Sequence, residues 1–573
     1  MLILRLMVSD KPGVQRLVQI CKLKGIKEVV FSPGSRNSPL VISFAGDPAF
    51  ECMTIPDERV AGFFAMGMAQ QLRRPVVICC TSGSAVVNYA PAVVEAYYQK
   101  IPLLVITADR PEEKIDQGAG QTMRQVNVYA NYIKASYQLQ QEAVNIADLQ
   151  ANDRLISDSI DQCSRGSFGP VHINFPLKEP LYQQTVYKNH DDLVVGNLQD
   201  EDRPSTHSIV NAISEKWKTF DKKLIILGQA MPNDDVNLIL ANLAEREDIA
   251  VISETTSNVT SSQVNPCIDR MITSLSDDEI NAIIPDVIIS LGEAIVSKRI
   301  KTLFINHSPN EHWYVNEQDK ALDTYECLTM HIKASALDFL TALQQLPKLS
   351  SHYQQQWNHH HASTQLGHNN FLEKCPWSDL KVFDHILSSV PPHSDLHISN
   401  SSPIRYTQLF NQRADINYFC NRGVSGIDGC TSTAAGAAHA NQRVTTIITG
   451  DLAFMYDSNA LWNQYIAGWL KIIIVNNGGG GIFKIIPGPE TTDQYKEFFA
   501  TEQSYTAEYI AKTFKSPYRQ ASSESELKSS LDWLYNNTFV RPAILEIMTL
   551  NEPNEDILSQ YFNFLKSDKQ LAD

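Results

Sequence analysis

Gly450-Asp451 and Asn476-Asn477-Gly478-Gly479 each place oxygen-bearing groups directly behind a β-branched apolar run, residues 444–449 in the first case and 471–475 in the second. Runs of this kind read as buried strands of a parallel sheet, so both clusters fall at strand carboxyl ends. A helix expected over residues 457–465 would form the crossover and make the two ends neighbours. A carboxylate, an amide oxygen and a glycine-exposed carbonyl are hard ligands, suited to a Mg²⁺ ion that keeps some water and bridges to phosphate. The four glycines at 478–481 let backbone approach that phosphate closely. Either half alone reads as a Gly-rich turn, with Asp451 capping a helix. Together, one strand–helix–strand unit apart, they point to a metal–diphosphate site.

The same strand-then-polar-loop design recurs along the chain. Residues 25–31 end at Ser32-Pro33-Gly34-Ser35-Arg36, where Ser38 followed by Pro39 reads as a helix start that leaves Arg36 unexplained. Glu58 opens a small-residue helix, where a carboxylate favours the dipole in any case. Strands expected at 76–80 and 103–107 expose Thr81-Ser82-Gly83 and Asp109-Arg110, a loop carries Gln121, and residues 169–176 read as the closing strand of a first α/β domain. Polar residues 189–208 read as a linker into a second α/β unit, whose strand at 286–291 leads to Lys298-Arg299. Residues 354–363, with three consecutive histidines, read as a polar helix between domains. A third unit starts near Asp379; its strand at 395–399 exposes Ser401 and Arg405, and Arg422 and Ile427 follow in a glycine-rich loop. Taken singly, each of these cations reads as a solvated surface charge.

Composition narrows the class. With 573 residues the chain is long enough for several cores, and 43% apolar with 20% charged residues is ordinary for a globular protein. A net charge of −16 without a basic run argues against nucleic acid or an anionic membrane as partner. Ten cysteines without regular spacing read as reduced core thiols, and no 18-residue apolar span stands in the sequence, so no membrane insertion and a cytoplasmic location are expected.

The strings FSPGSRNSPL, DERVAGFFAMG, TSGSAVVNYAPAVVEA, TADRPEE, NRGVSGIDG, GDLAFMYDSNAL and VNNGGGGIF occur in this order, and with them the chain resembles the thiamine-diphosphate decarboxylase superfamily. The diphosphate signature of that superfamily begins Gly-Asp-Gly and closes with Asn-Asn; here Leu452 stands third, as it does in the branch that serves menaquinone biosynthesis. Gly478 stands where Asn or Asp is common. The resemblance implies an α/β fold of three doubly wound parallel-sheet domains: a pyrimidine-binding domain (1–188), a central domain (205–350) and a diphosphate-binding domain (375–573). It implies thiamine diphosphate with Mg²⁺ (or Mn²⁺) as cofactors, and Asp451, Asn477 and the carbonyl of Gly479 as metal ligands. Glu58 would bond the pyrimidine ring and promote its imino tautomer, and Ile427 would prop the cofactor's two rings into a V. Ser401, Gly450, Leu452, Ile482 and Phe483 would complete the cofactor contacts.

For the substrates, that branch implies 2-oxoglutarate, which is decarboxylated, and isochorismate, to which the four-carbon remainder adds. Both are dicarboxylates and call for guanidinium partners. Ser35, Arg36, Arg110, Gln121, Lys298 and Arg299 are the expected isochorismate-side and neighbouring residues, and Ser401, Arg405 and Arg422 those for 2-oxoglutarate or its adduct. A homodimer or homotetramer with active sites at subunit interfaces is implied. The alternatives are another thiamine-diphosphate 2-oxo acid decarboxylase or carboligase, and a non-catalytic nucleotide-binding regulator.

Overall fold

In the computed structural model, which describes residues 6–196, 204–318, 320–486, 488–550 and 553–568, three parallel sheets flanked by helices carry the chain. In spatial order the first sheet holds strands Glu51–Thr54, Glu28–Phe31, Val76–Cys80, Leu103–Asp109, Val171–Pro176 and Ala135–Gln138. The third holds Ile416–Cys420, Ser394–Ile398, Thr445–Gly450, Leu470–Asn476, Ala543–Met548 and Tyr518–Ala521. Both follow one winding: the second strand lies outside the first, and the last lies inside the one before it. The central sheet is shorter, with Ile249–Ser253, Lys223–Leu227, Val287–Leu291, Glu311–Val315 and Met330–Ile332 in that order. In each sheet the order reverses between the first and third strands, and the crevice outside their carboxyl ends is where such sheets bind ligands. A two-stranded antiparallel ribbon, Met7–Ser9 with Gln184–Val186, joins the ends of the first unit.

Several local expectations change. The strand Val171–Pro176 closes the first unit in sequence but lies inside the sheet, because Ala135–Gln138 pairs with its outer edge. The helix expected at 457–465 begins instead at Asp451 and ends at Tyr456, followed by a short 3₁₀ turn, Ser458–Leu461. Asp457 is the reason: fully buried, it accepts from Ser432 N and Ser432 Oγ, both at 2.7 Å, and so serves the neighbouring helix instead of continuing its own. Ser38 lies inside the helix Ser38–Gly46, with Asn37 at the cap position. The helix expected over 354–363 runs from Tyr353 to Lys374 and buries Trp357 completely. Of the expected linker, 197–203 lie outside the described residues, and Thr206–Trp217 already forms a helix capped by Ser205.

The first and third units share a core. One buried apolar cluster runs from Val30, Ile78 and Val105 through the helices Glu58–Leu72 and Cys430–Asn441 to Ile447, Ile472 and Ile474. The two helices touch backbone to backbone: a Cβ at Gly67 would lie 2.0 Å from the Thr433 carbonyl oxygen, and one at Gly436 would lie 1.8 Å from that of Phe64. The helix that starts at Glu58 is thereby locked to the third unit.

Candidate active site

The carboxyl edge of the third sheet gathers the expected metal-binding groups. Gly450 is the last residue of its strand and Asp451 the first of the following helix. The Asp451 carboxylate is buried and accepts from Gln503 Nε2 and from the backbone N–H groups of Leu452 and Gly479; burial pushes it up to about 6. From the next strand, Asn477 donates Nδ2 to Asp379 at 2.9 Å, which turns its amide oxygen away from Asp379. Gly478 and Gly479 have φ of 82° and 137°, open to glycine, and a Cβ at Gly481 would lie 2.5 Å from Asn477 Nδ2. Ile482 and Phe483 begin a short helix, Ile482–Ile485, with the Phe483 ring 5.9 Å from that of Phe499. A buried carboxylate held only by N–H donors and an oriented amide oxygen fit a hard divalent cation, and the glycine backbone beside them fits a phosphate.

Beside this edge lies a group of cations. Ser401, at φ 75°, turns the chain out of the strand Ser394–Ile398. Its neighbour Asn400 donates Nδ2 to the carbonyls of Asn421 (2.6 Å) and Gly426 (2.7 Å) and accepts from Arg422 Nη1 at 3.0 Å. Arg405 is half-buried, and among the described residues its guanidinium donates no hydrogen bond; its pKa is lowered by burial and then by the charge of Arg422, with Asp269 opposing. From the central unit come Lys298 and Lys301, one turn apart on the helix Lys298–Asn306. Burial lowers Lys301, with the charges of Arg422, Lys298 and Arg405 adding to it and Glu254 opposing. The start of that helix is held by Glu254, which accepts from Val296 N and Ser297 N at 2.6 Å each and is pushed up to about 7 by burial. Arg299 goes elsewhere: its guanidinium packs 4.6 Å from the ring centroid of Phe562.

The first unit contributes a second group. Glu58 is partly exposed, and among the described residues its carboxylate makes no hydrogen bond or ion pair, although both neighbours are engaged. Asp57 accepts from Asn459 Nδ2 at 2.9 Å, and Arg59 donates to the carbonyls of Asp428 (2.6 Å) and Tyr456 (2.9 Å). Arg36 is buried, donates to the Leu177 carbonyl at 2.8 Å and pairs with Glu179 at 3.3 Å; burial and then the Arg110 charge lower its pKa. Ser35 is exposed, and Gln121, at φ 60°, accepts from Ser82 Oγ at its carbonyl, 2.9 Å away. Ile427 is partly exposed on the loop after Arg422. Thus Arg405, Arg422 and Lys298 share one field and Arg36 and Arg110 another, while Arg299 packs on Phe562 of the helix Asn554–Asp568.

Lys301, Asp379, Gln503 and Asn400 were not among the expected site residues. Lys301 carried a signal, its place three residues after Lys298 on a helix. Asn400 carried one too, as the neighbour of Ser401 just past a strand end, while Asp379 and Gln503 are brought in by long-range folding alone.

A family profile described as "Thiamine pyrophosphate enzyme, N-terminal TPP binding domain" matches residues 12–128, and one described as "Middle domain of thiamine pyrophosphate" matches 198–398. The chain is 42% identical over 555 residues to the 2-succinyl-5-enolpyruvyl-6-hydroxy-3-cyclohexene-1-carboxylate synthase of Flavobacterium psychrophilum, covering 97% of this chain and 99% of that one. It is 42% identical to the synthase of the same name from Flavobacterium johnsoniae (96% and 98% covered) and 40% identical to that of Christiangramia forsetii (98% and 100%). The chain belongs to the 2-succinyl-5-enolpyruvyl-6-hydroxy-3-cyclohexene-1-carboxylate synthase family. As a member of this synthase family it is a thiamine-diphosphate-dependent transferase that works with a divalent metal. Its substrates are small molecules, and among the described residues no helix is long and apolar enough to cross a membrane.

Proposed function

We propose that this chain decarboxylates 2-oxoglutarate and adds the four-carbon remainder to isochorismate in a 1,4-addition, releasing CO2 and forming 2-succinyl-5-enolpyruvyl-6-hydroxy-3-cyclohexene-1-carboxylate for menaquinone biosynthesis. The observation that carries this reading is Arg405. A half-buried guanidinium that donates no hydrogen bond among the described residues, burdened by the charge of Arg422 and only partly relieved by that of Asp269, has its donors left for a substrate carboxylate. A dicarboxylate 2-oxo acid supplies one; pyruvate, with its single carboxylate consumed in the reaction, leaves nothing to hold the pocket's charge. Other thiamine-diphosphate decarboxylases and a non-catalytic regulator are disfavoured by the same cations and by the family relationship.

Asp451, Asn477 and the Gly479 carbonyl would hold Mg²⁺ or Mn²⁺, with Gly450, Leu452, Ile482, Phe483 and Ser401 around the cofactor. Thiamine diphosphate, when bound, supplies the carbon centre that takes up the electron pair released on decarboxylation. Glu58 holds a proton at the pyrimidine side, a role for which a carboxylate without an internal partner is free. Ile427 fixes the cofactor's bent shape by packing. Arg405 and Arg422, with Ser401, orient 2-oxoglutarate through its carboxylates; Arg36, Arg110, Gln121 and Ser35 orient isochorismate, with Lys298 reaching it from the side of Arg405 and Arg422, and Arg299, packed on Phe562, taking no direct part. The proposed domains are residues 1–188, 205–350 and 375–573. The working form is a homodimer or homotetramer in the cytoplasm, with each site between subunits.

The reading is tested by following isochorismate absorbance with purified protein, thiamine diphosphate and Mg²⁺, with and without 2-oxoglutarate, and by weighing the product. Loss that requires 2-oxoglutarate and yields the adduct mass is expected. Loss supported equally by pyruvate would overturn the substrate assignment.

A further inference from the structure

Glu95 lies on the helix Ala90–Gln99 of the first unit and is 2% exposed, yet its carboxylate serves the third unit. Oε1 accepts from Gly423 N at 2.6 Å and Oε2 from Val424 N at 2.8 Å. One turn on, Gln99 donates Nε2 to the same carboxylate at 2.7 Å. The Gln99 amide oxygen accepts from Gln70 at 3.3 Å and from Gln229 of the central unit at 3.0 Å, and Gln229 also donates to the Cys420 carbonyl at 2.8 Å. All three units therefore meet at one polar junction, buried at Glu95 and half-buried at Gln99 and Gln229. Its products are two consecutive peptide planes, fixed at the start of the loop that carries Arg422 and Ile427. Gly423 is required for the approach, since a Cβ there would lie 2.7 Å from the Glu95 carbonyl oxygen and 3.0 Å from Oε1. From the opposite side the same loop is held by Asn400, through the Asn421 and Gly426 carbonyls and Arg422 Nη1.

A buried carboxylate is a poor choice for holding two domains together, because a well-packed apolar contact does so without desolvating a charge. What a carboxylate adds is direction: two oxygens set the orientation of two N–H groups, and thereby of the residues on either side. We propose that Glu95 is a positioning residue for the reaction, holding loop 421–428 so that Arg422 meets the substrate carboxylate and Ile427 meets the cofactor. On this reading Glu95 acts through the Gly423 and Val424 N–H groups and not by contact with either ligand. The inference rests on the roles proposed above for Arg422 and Ile427.

The test uses full-length Glu95→Gln, which keeps the shape but turns one acceptor into an NH₂ facing a backbone N–H. The KM for 2-oxoglutarate is expected to rise about tenfold, while that for isochorismate stays within about twofold. In the background of Arg422→Ala, Glu95→Gln is expected to add no more than about twofold, because both act through one contact. Thiamine diphosphate affinity, read by tryptophan fluorescence without substrate, is expected to fall about threefold through Ile427. Equal rises in both KM values, full additivity with Arg422→Ala, or unchanged cofactor affinity would each overturn the proposal. Should Glu95→Gln not fold, Gln99→Leu, which removes one donor to Glu95, is expected to shift the 2-oxoglutarate KM the same way by about threefold, and no shift overturns it. Wild-type protein that binds cofactor without consuming 2-oxoglutarate refutes the substrate reading, and Glu95 is then decided by the fluorescence measurement.

Discussion

Asp379 accepts from Asn477 Nδ2 at 2.9 Å with one oxygen and from Thr549 Oγ1 at 2.6 Å with the other. A fully buried carboxylate on the helix Asp379–Ser389 thus fixes which arm of the Asn477 amide would face a metal in the proposed site. Partners that orient a ligating group are worth about 10–100-fold in metal affinity. Asp379→Leu is expected to weaken Mn²⁺ binding by that order, measured by titration of the cofactor-loaded protein with electron paramagnetic resonance of free Mn²⁺. Unchanged affinity would mean that Asn477 is held by its backbone alone.

Glu58→Gln separates chemistry from folding. Since the Glu58 carboxylate has no partner among the described residues, its replacement is expected to change unfolding free energy by less than about 0.5 kcal/mol. Turnover is expected to fall about 10²–10⁴-fold, the usual range for a proton-handling group. Chemical denaturation and steady-state kinetics on one preparation check both.

Gly436 and Gly450 make a contrast in packing. A Cβ at 436 would stand 1.8 Å from the Phe64 carbonyl oxygen, whereas at 450 it would meet nothing within 4 Å. Gly436→Ala is expected to destabilise by about 1–3 kcal/mol or more as the helix pair is forced apart. Gly450→Ala is expected to unfold at nearly the wild-type denaturant concentration, whatever it does to cofactor binding.

Glu254 gives the protein a pH dependence of known sign. Burial raises its carboxyl to about 7, with Asp269 adding and the Val296 and Ser297 N–H groups and Arg422 opposing. A carboxyl whose folded value lies above its unfolded one favours the protonated folded state. Its contribution is complete below the unfolded value and is lost as pH rises through about 7. Wild type is therefore expected to lose stability relative to Glu254→Gln between pH 5 and 7.5, in paired melting curves. A difference independent of pH would refute the assignment.

How much of this was legible in the sequence follows burial. The central strands announce themselves: residues 445–450 and 470–476 are, Lys471 and Asn476 apart, apolar or β-branched and almost wholly buried, so the placement of Asp451 and Asn477 on one edge could be read directly. Two edge strands are silent. Ala135–Gln138 and Tyr518–Ala521 are short and mostly exposed or half-exposed, and a strand covered on one side needs no apolar run. Helix length at Asp451 was misread because the stop signal is Asp457 bonded to Ser432, a contact 25 residues back that no local pattern encodes. The same holds for Asp379, 98 residues from Asn477, and for Glu95, 328 from Gly423. Arg299 looked equivalent to Lys298 because adjacent residues share a sequence context, but on a helix they face different neighbours.

A working site is proposed to combine Glu58 of one copy with the Asp451 edge of another. Glu58→Gln and Asp451→Ala chains, each inactive alone, can be co-expressed with different tags and the hybrid purified through both. If the two residues come from different copies, each hybrid dimer holds one intact site and about half of the wild-type turnover returns. If the hybrid is as inactive as its parents, both residues serve the same chain's site, and the shared-site assembly is wrong.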